Sequence, residues 1–158
     1  MGALHLCEIL FVEDCETDAV LTIRELRKRH FVNDLTHVTD GQQALDFLFR
    51  TGAYATRTPG NPQLVLLDLH LPKVSGLEVL QAIRSDQRTR DITVAVLTDS
   101  SQESDIVESR RLRANAYLVK PVGFPEFVDV VVQAGFGWSL MDKRQPARSA
   151  GLWPSAWR

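Results

Sequence analysis

The stretch "LVLLDLHLPKVSG", Leu64–Gly76, joins an apolar run to a carboxylate and then to the start of a helix. The run Leu64–Leu67 is uninterrupted, which is typical of a strand buried on both faces of a parallel sheet. Asp68 follows it directly. Burying a charged carboxylate is costly unless the charge is paired or bound to a metal. Either Asp68 is an ordinary loop residue beyond a strand, or a site at that edge of the sheet uses it.

Strand-like and helix-like segments alternate along the rest of the chain, and "SGLE" at Ser75–Glu78 is a capping-box pattern for one of the helices. The predicted strands are Glu8–Val12, Leu35–Val38, Leu64–Leu67, Thr93–Leu97 and Ala116–Val119, and the predicted helices cover 17–29, 42–50, 75–84, 100–113 and 124–141. Residues 51–63 are predicted to form a polar loop. This alternation predicts an α/β fold with a five-stranded, doubly wound parallel sheet and five helices. An eight-stranded barrel would need about 250 residues.

The length and the net charge of the chain limit the number of domains and the kinds of partner that we expect. The 158 residues favour one domain, 6–141, followed by a tail at 142–158, and the formal charge of −2 gives no general attraction to nucleic acid or anionic membranes. We find no apolar run of about 20 residues and no signal peptide, so we expect a cytoplasmic protein without a membrane partner. The tail contains no helix-turn-helix pattern, which predicts an output through protein binding and not through DNA.

Polar residues stand where four of the predicted strands end. They are Glu13, Asp14, Asp68, Thr98 and Lys120. Taken singly, such residues are common as turn residues, helix caps or solvated surface. The carboxyl ends of parallel strands share one edge of a sheet, however, and ligands of open α/β sheets bind there. With the flavodoxin-like strand order 2-1-3-4-5, the three acids would meet beside the switch point, which predicts a functional site.

These residues carry a resemblance to the receiver domains of two-component response regulators, over about residues 6–136. The matching motifs are the Glu13-Asp14 pair, "LLDLHLPKVSG" around Asp68, "LTDSS" with Thr98, and "AYLVKP" with Tyr117 and Lys120. The resemblance implies a phosphorylation-controlled switch and not an enzyme. It implies that Asp68 accepts a phosphoryl group from the phosphohistidine of a sensor histidine kinase.

The resemblance also implies a magnesium site and roles for the other motif residues. Asp14 and Asp68 would bind Mg²⁺ directly, Glu13 through water, and His70 through its backbone carbonyl. Lys120 would pair with the carboxylate at rest and with phosphate oxygens afterwards. Thr98 would donate a hydrogen bond to the phosphate, and Tyr117 would turn inward as Thr98 moves. The peptide bond before Pro121 is typically cis in this family.

One position departs from the family pattern. The residue after the switch threonine is usually small, and here it is Asp99. A carboxylate near an incoming phosphate could reduce phosphorylation or shorten the life of the acyl phosphate, or it could point into solvent.

A closer resemblance is to the regulators paired with bacterial phytochromes, which are light-sensing histidine kinases. It rests on "TGAYATRTPGNPQ", "LDLHLPK", "LTDSSQESDI" and "KPVGFPEFVDVVV", and it implies a phytochrome-type kinase as the partner. The predicted fifth helix has apolar residues around most of its circumference, more than one core-facing stripe requires. We therefore expect a homodimer through this helix, although Trp153 and Trp157 of the tail could cover it instead.

Two alternatives are compatible with the same residues. One is a degenerate receiver that binds its partner independently of phosphate, with Asp99 as the reason. The other is a phosphohydrolase of the haloacid dehalogenase kind. Such enzymes need an Asp-x-Asp motif, and the second acidic position is occupied here by His70.

Overall fold

The computed structural model describes residues 9–28, 34–98, 103–120 and 124–133, and over these it has alternating strands and helices. The strands are β1 (Ile9–Val12), β2 (Leu35–Val38), β3 (Leu64–Asp68), β4 (Thr93–Thr98) and β5 (Ala116–Val119). The helices are α1 (Glu16–Lys28), α2 (Gly41–Phe49), α3 (Gly76–Ser85), α4 (Glu103–Arg111) and α5 (Phe124–Gln133). The strands form one parallel sheet in the order β2-β1-β3-β4-β5. The predicted fold class and strand order are confirmed.

The two faces of the sheet are covered by different helices. Side chains alternate across a strand, so neighbouring residues of β1 and β3 enter opposite layers of the core. Leu10 and Val65 pack in the layer that contains α2 and α3. Phe11 and Leu66 pack in the layer that contains α1 and α5. Both central strands are buried along their whole length, which explains their uninterrupted apolar sequences.

Two strands extend one residue beyond their predicted ends. β3 includes Asp68 and β4 includes Thr98. The reason is that the sheet hydrogen bonds continue past the apolar runs, since the Leu69 amide donates to the Leu97 carbonyl over 3.2 Å and the Lys120 amide donates to the Thr98 carbonyl over 2.8 Å. The backbone of Asp68 therefore belongs to the sheet and not to the loop after it.

The helix ends also differ from the predicted ones where local geometry overrides the pattern. α4 ends at Arg111, and Arg113 has a left-handed backbone with φ of 63°. The Ala114 amide donates back to the Ser109 carbonyl over 3.0 Å, which closes the last turn. At α3 the predicted start is confirmed, because the Ser75 hydroxyl accepts the Glu78 amide over 3.2 Å.

The predicted loop 51–63 contains a short 3₁₀ turn, Gly52–Tyr54. The predicted extension of α5 to Met141, the tail 142–158, Asp99 and Pro121 lie outside the described residues. No helix in the described part of the chain has both the length and the apolarity needed to cross a bilayer.

Candidate functional site

The carboxyl edge of the sheet holds a buried aspartate in a fixed position. Asp68 is 3% exposed at the end of β3. One of its oxygens, Oδ1, accepts the His70 amide over 2.9 Å, and the other, Oδ2, accepts a hydrogen bond from Lys120 Nζ over 3.0 Å. A Cβ on Gly76 would lie 2.2 Å from the Asp68 carbonyl oxygen, so glycine is needed for α3 to begin this close to the strand end.

Two more carboxylates come from the end of β1. The parallel register pairs Val12 with Leu67, which places Glu13 level with Asp68 on the neighbouring strand. Glu13, Asp14 and Asp68 each offer a carboxylate oxygen within 4.8 Å of the others. Glu13 and Asp68 are buried, and Asp14 is exposed.

This donor set fits a hard divalent cation. Mg²⁺ prefers oxygen ligands and usually keeps several waters, binding through one or two carboxylates and substrate phosphates. Three clustered carboxylates, one of them open to solvent, provide such ligands and a path of entry. Glu13, Asp14 and Asp68 are therefore the described residues that could hold Mg²⁺ or Mn²⁺.

Lys120 supplies the positive charge of the site. Its Nζ lies 3.0 Å from Glu13 Oε1, 3.0 Å from Asp68 Oδ2 and 3.3 Å from Asp18 Oδ2. Burial by itself would lower the pKa of Lys120, but hydrogen bonds to Asp68 and Glu13 outweigh it and raise the pKa. The ammonium therefore stays charged in the presence of its three partners.

The surroundings of Glu13 perturb its ionisation. Burial, followed by the neighbouring Asp68, raises the pKa of Glu13 to about 7, although hydrogen bonds from Lys120 and the Cys15 amide act in the opposite direction. Mutual repulsion of buried carboxylates is relieved by a bound cation as well as by a proton. The electrostatics of the cluster thus agree with its fit to a divalent ion.

Thr98 and Tyr117 lie together beside this cluster. Thr98 is fully buried at the end of β4, one residue beyond the position that pairs with Asp68. Tyr117 is 9% exposed and packs in the core layer of α2 and α3. Burial raises the pKa of the Tyr117 hydroxyl, and a hydrogen bond with Thr98 opposes that rise. Tyr117 is thus largely buried and in contact with Thr98.

The structure brings together the predicted site residues that it describes, and it adds contacts that the sequence reasoning missed. Asp18, in the first turn of α1, reaches Lys120. In the sequence, the only indication of this contact is that Asp18 is acidic and follows the Glu13-Asp14 pair closely. The ring of His70, predicted to act through its backbone alone, places Nε2 3.3 Å from Asp105 Oδ2. That contact joins the loop after β3 to α4, and no local pattern indicates it.

Comparison with protein families gives a match over most of the chain. The response regulator receiver domain matches residues 9–132. This range contains every residue of the site described above.

Two bacteriophytochrome response regulators and response regulator Rcp1 are among the similar proteins. The solved structure of the bacteriophytochrome response regulator RtBRR is 46% identical, with a TM-score of 0.77, over 92% of this chain and 86% of that one. The bacteriophytochrome response regulator AtBRR is 44% identical, with a TM-score of 0.78, over 87% of this chain and 99% of that one. Response regulator Rcp1 of Synechocystis sp. is 39% identical over 112 residues, which are 71% of this chain and 75% of Rcp1. A structure of Rcp1 in its Mn²⁺-bound form has a TM-score of 0.69 at 34% identity, over 89% of this chain and 99% of that one.

Proposed function

Because the chain belongs to the response regulator receiver domain family, we propose that it is a phosphoacceptor switch whose Asp68 is phosphorylated by a sensor histidine kinase. The observation that carries the proposal is the position of Asp68: buried, at the end of a strand, and hydrogen-bonded to Lys120 over 3.0 Å. A buried carboxylate with a fixed orientation and a compensating ammonium is suited to act as a nucleophile toward an anionic donor.

The reaction transfers one phosphoryl group to the Asp68 carboxylate. An Asp68 oxygen attacks phosphorus, the new O–P bond forms, and the P–N bond to the histidine of the kinase breaks. Phosphoryl transfer is catalysed mainly by positioning and by neutralisation of charge. The His70 amide and the Lys120 ammonium orient the two oxygens of Asp68. Lys120 then offers its charge, and Thr98 its hydroxyl, to the oxygens of the transferred group.

Glu13, Asp14 and Asp68 would hold the divalent cation. We assign direct binding to Asp14 and Asp68, binding through water to Glu13, and a backbone carbonyl ligand to His70. A bound divalent cation supplies positive charge that neutralises the carboxylates and the oxygens of the phosphoryl group. The similarity to Rcp1, which has been solved in a Mn²⁺-bound form, supports the proposal that the chain binds a divalent cation.

The signal would leave the site through β4, β5 and α4. The contact between Thr98 and Tyr117 joins the phosphoacceptor edge to β5, and the contact between His70 and Asp105 joins it to α4. A change of charge at Asp68 can therefore shift the equilibrium between two arrangements of this face. The output is the binding of another protein, in the cytoplasm.

A phytochrome-type histidine kinase is the partner we propose. The support is similarity at 46% and 44% identity to two bacteriophytochrome response regulators, each over more than four-fifths of this chain.

The proposed function is tested by incubating the protein with acetyl phosphate and Mg²⁺, followed by measurement of the intact mass. We expect one phosphoryl group per chain, because Asp68 is the described carboxylate that a receiver site would use. Absence of an adduct would favour the degenerate, phosphate-independent binding module. Continuous release of phosphate from added phosphoesters would favour the phosphohydrolase.

We further propose a homodimer through α5 and the adjoining face of α4 and β5. Phe127 and Val130 of α5 pack into the core, whereas Val107 of α4 and Val119 of β5 are 55% and 52% exposed. Exposed apolar side chains beside a helix rich in valine favour an interface.

Light scattering coupled to size exclusion should therefore give a dimer mass at protein concentrations of tens of micromolar. Replacement of Val119 by Glu should shift the protein toward monomer, because it would bury a charge in the interface. Replacement of the exposed Gln81 of α3 by Glu, outside this face, should not. A monomer mass for the wild type, with and without phosphate, would rule out the dimer. A dimer that forms only after deletion of 142–158 would indicate that the tail covers the apolar surface of the fifth helix in the full chain.

A further inference from the structure

We propose that Asp18 is a positioning residue for phosphorylation: it holds Lys120 in the resting site and is the partner that Lys120 gives up to a phosphoryl group. The inference rests on the proposed function of Asp68. It concerns a residue of α1 that lies outside the set of motif residues.

The hydrogen-bonding capacity of Lys120 is already used in the resting site. An ammonium group has three N–H donors. Three carboxylate oxygens lie within reach of Nζ, from Glu13 at 3.0 Å, Asp68 at 3.0 Å and Asp18 at 3.3 Å. When Asp68 is phosphorylated, the N–H that Asp68 accepts can pass to one phosphoryl oxygen. Lys120 can then donate to a second phosphoryl oxygen only if Glu13 or Asp18 is released.

Burial decides whether Glu13 or Asp18 is released. The side chain of Glu13 is 1% exposed, whereas that of Asp18 is 43% exposed. An unpaired carboxylate is costly in the interior and is readily hydrated at the surface. Asp18 also has the longest of the three contacts, and its place in the first turn of α1 favours a free negative charge there.

Asp18 thereby opposes entry of the phosphoryl group in two ways. It competes for the ammonium, and it adds a negative charge to a site that already contains three carboxylates. Asparagine at this position would keep an oxygen acceptor without the charge. Because the Asp18 carboxylate is 43% exposed and hydrated, its pairing with Lys120 should contribute little, and its removal should change the affinity by a small factor, about threefold to fivefold.

The experiment titrates the phosphoryl analogue beryllium trifluoride, with Mg²⁺ present, into wild type, Asp18→Asn and Glu16→Gln. Glu16 is a matched control because it is an exposed carboxylate in the same turn of α1 and is not among the Lys120 partners seen in the described residues. We expect Asp18→Asn to bind the analogue about threefold to fivefold more tightly, and Glu16→Gln to bind it nearly as wild type does. Raising the salt concentration should reduce the difference, since the charge of Asp18 is partly exposed.

Equal effects of the two substitutions, or weaker binding by Asp18→Asn, would overturn the role of Asp18. A wild-type protein that fails to bind the analogue would overturn the proposed function itself, and the role of Asp18 with it. Thermal unfolding of the three proteins separates a loss of α1 stability from a change at the site. A structure with the analogue bound adds a second readout: Lys120 should be out of hydrogen-bonding distance of Asp18 and still bound to Glu13. Lys120 bound to Asp18 and out of hydrogen-bonding distance of Glu13 would contradict the proposal.

Discussion

Replacement of Asp68 by Asn should abolish the phosphoryl adduct that acetyl phosphate forms on the wild-type protein. The amide has almost the same shape as the carboxylate, and its one oxygen can still accept a hydrogen bond from either the His70 amide or Lys120, although not from both. It carries no negative charge, however, and is a very poor nucleophile toward phosphorus. The fold and the surrounding charges are kept while the attacking group is lost, so the expected change is from one adduct to none in the intact mass.

Asp91→Asn is the matched control for this experiment. Asp91 is exposed and precedes β4, so it lies toward the opposite edge of the sheet from the acceptor. Its substitution removes the same charge from the chain and should leave the adduct unchanged. An adduct that persists in Asp68→Asn would show that another residue accepts the phosphoryl group.

Removal of divalent cations should also have a large effect on formation of the phosphoryl adduct. Glu13, Asp14 and Asp68 are clustered, and Lys120 is the cation paired with two of them in the described structure. Without a metal, the remaining negative charge would repel an anionic phosphodonor. We therefore expect a chelator to eliminate the acetyl phosphate adduct, and excess Mg²⁺ to restore it.

Asp14→Ala should cause much of the same loss of the acetyl phosphate adduct, because it removes one of the proposed metal ligands. Asp14 is exposed, so its removal leaves the core of the sheet intact. Loss of a metal ligand should raise the Mg²⁺ concentration required for half-maximal labelling by at least about tenfold. Glu16→Gln, which changes a nearby exposed carboxylate, serves as the control. Labelling that is unchanged in the chelator, or in Asp14→Ala at low Mg²⁺, would refute the proposed metal site.

The central strands and the acceptor edge were predictable because their signals are local. The apolar run before Asp68 identifies a buried parallel strand by itself, and the edge follows from the rule that parallel strands end together. From this rule we predict that Glu13, Asp14 and Asp68 meet, with Lys120 to one side. The structure brings the three acids together and pairs Lys120 with Glu13 and Asp68. The rule does not give the end of β3, because that depends on a hydrogen bond from Leu69 to Leu97 in another strand.

The contacts that the sequence did not indicate depend on how helices pack against the sheet. Asp18 reaches Lys120 because α1 begins just after β1 and Lys120 follows β5, and both strands end at the same edge of the sheet. The two residues are far apart in the chain. The contact of His70 with Asp105 likewise requires α4 to lie against the loop after β3. In the loop 51–63, Arg57 stacks over the Phe47 ring at 4.1 Å and donates to its carbonyl, an arrangement that a polar composition alone cannot specify.

Locating the phosphoryl group in the wild-type protein tests the proposed role of Asp68 most directly. After treatment with acetyl phosphate and Mg²⁺, reduction with borohydride converts an aspartyl phosphate into homoserine, which marks the acceptor for peptide mass spectrometry. We expect homoserine at position 68 and at no other aspartate. Homoserine at another position, or none in a protein that carries the adduct, would contradict the assignment of Asp68 as the phosphoacceptor.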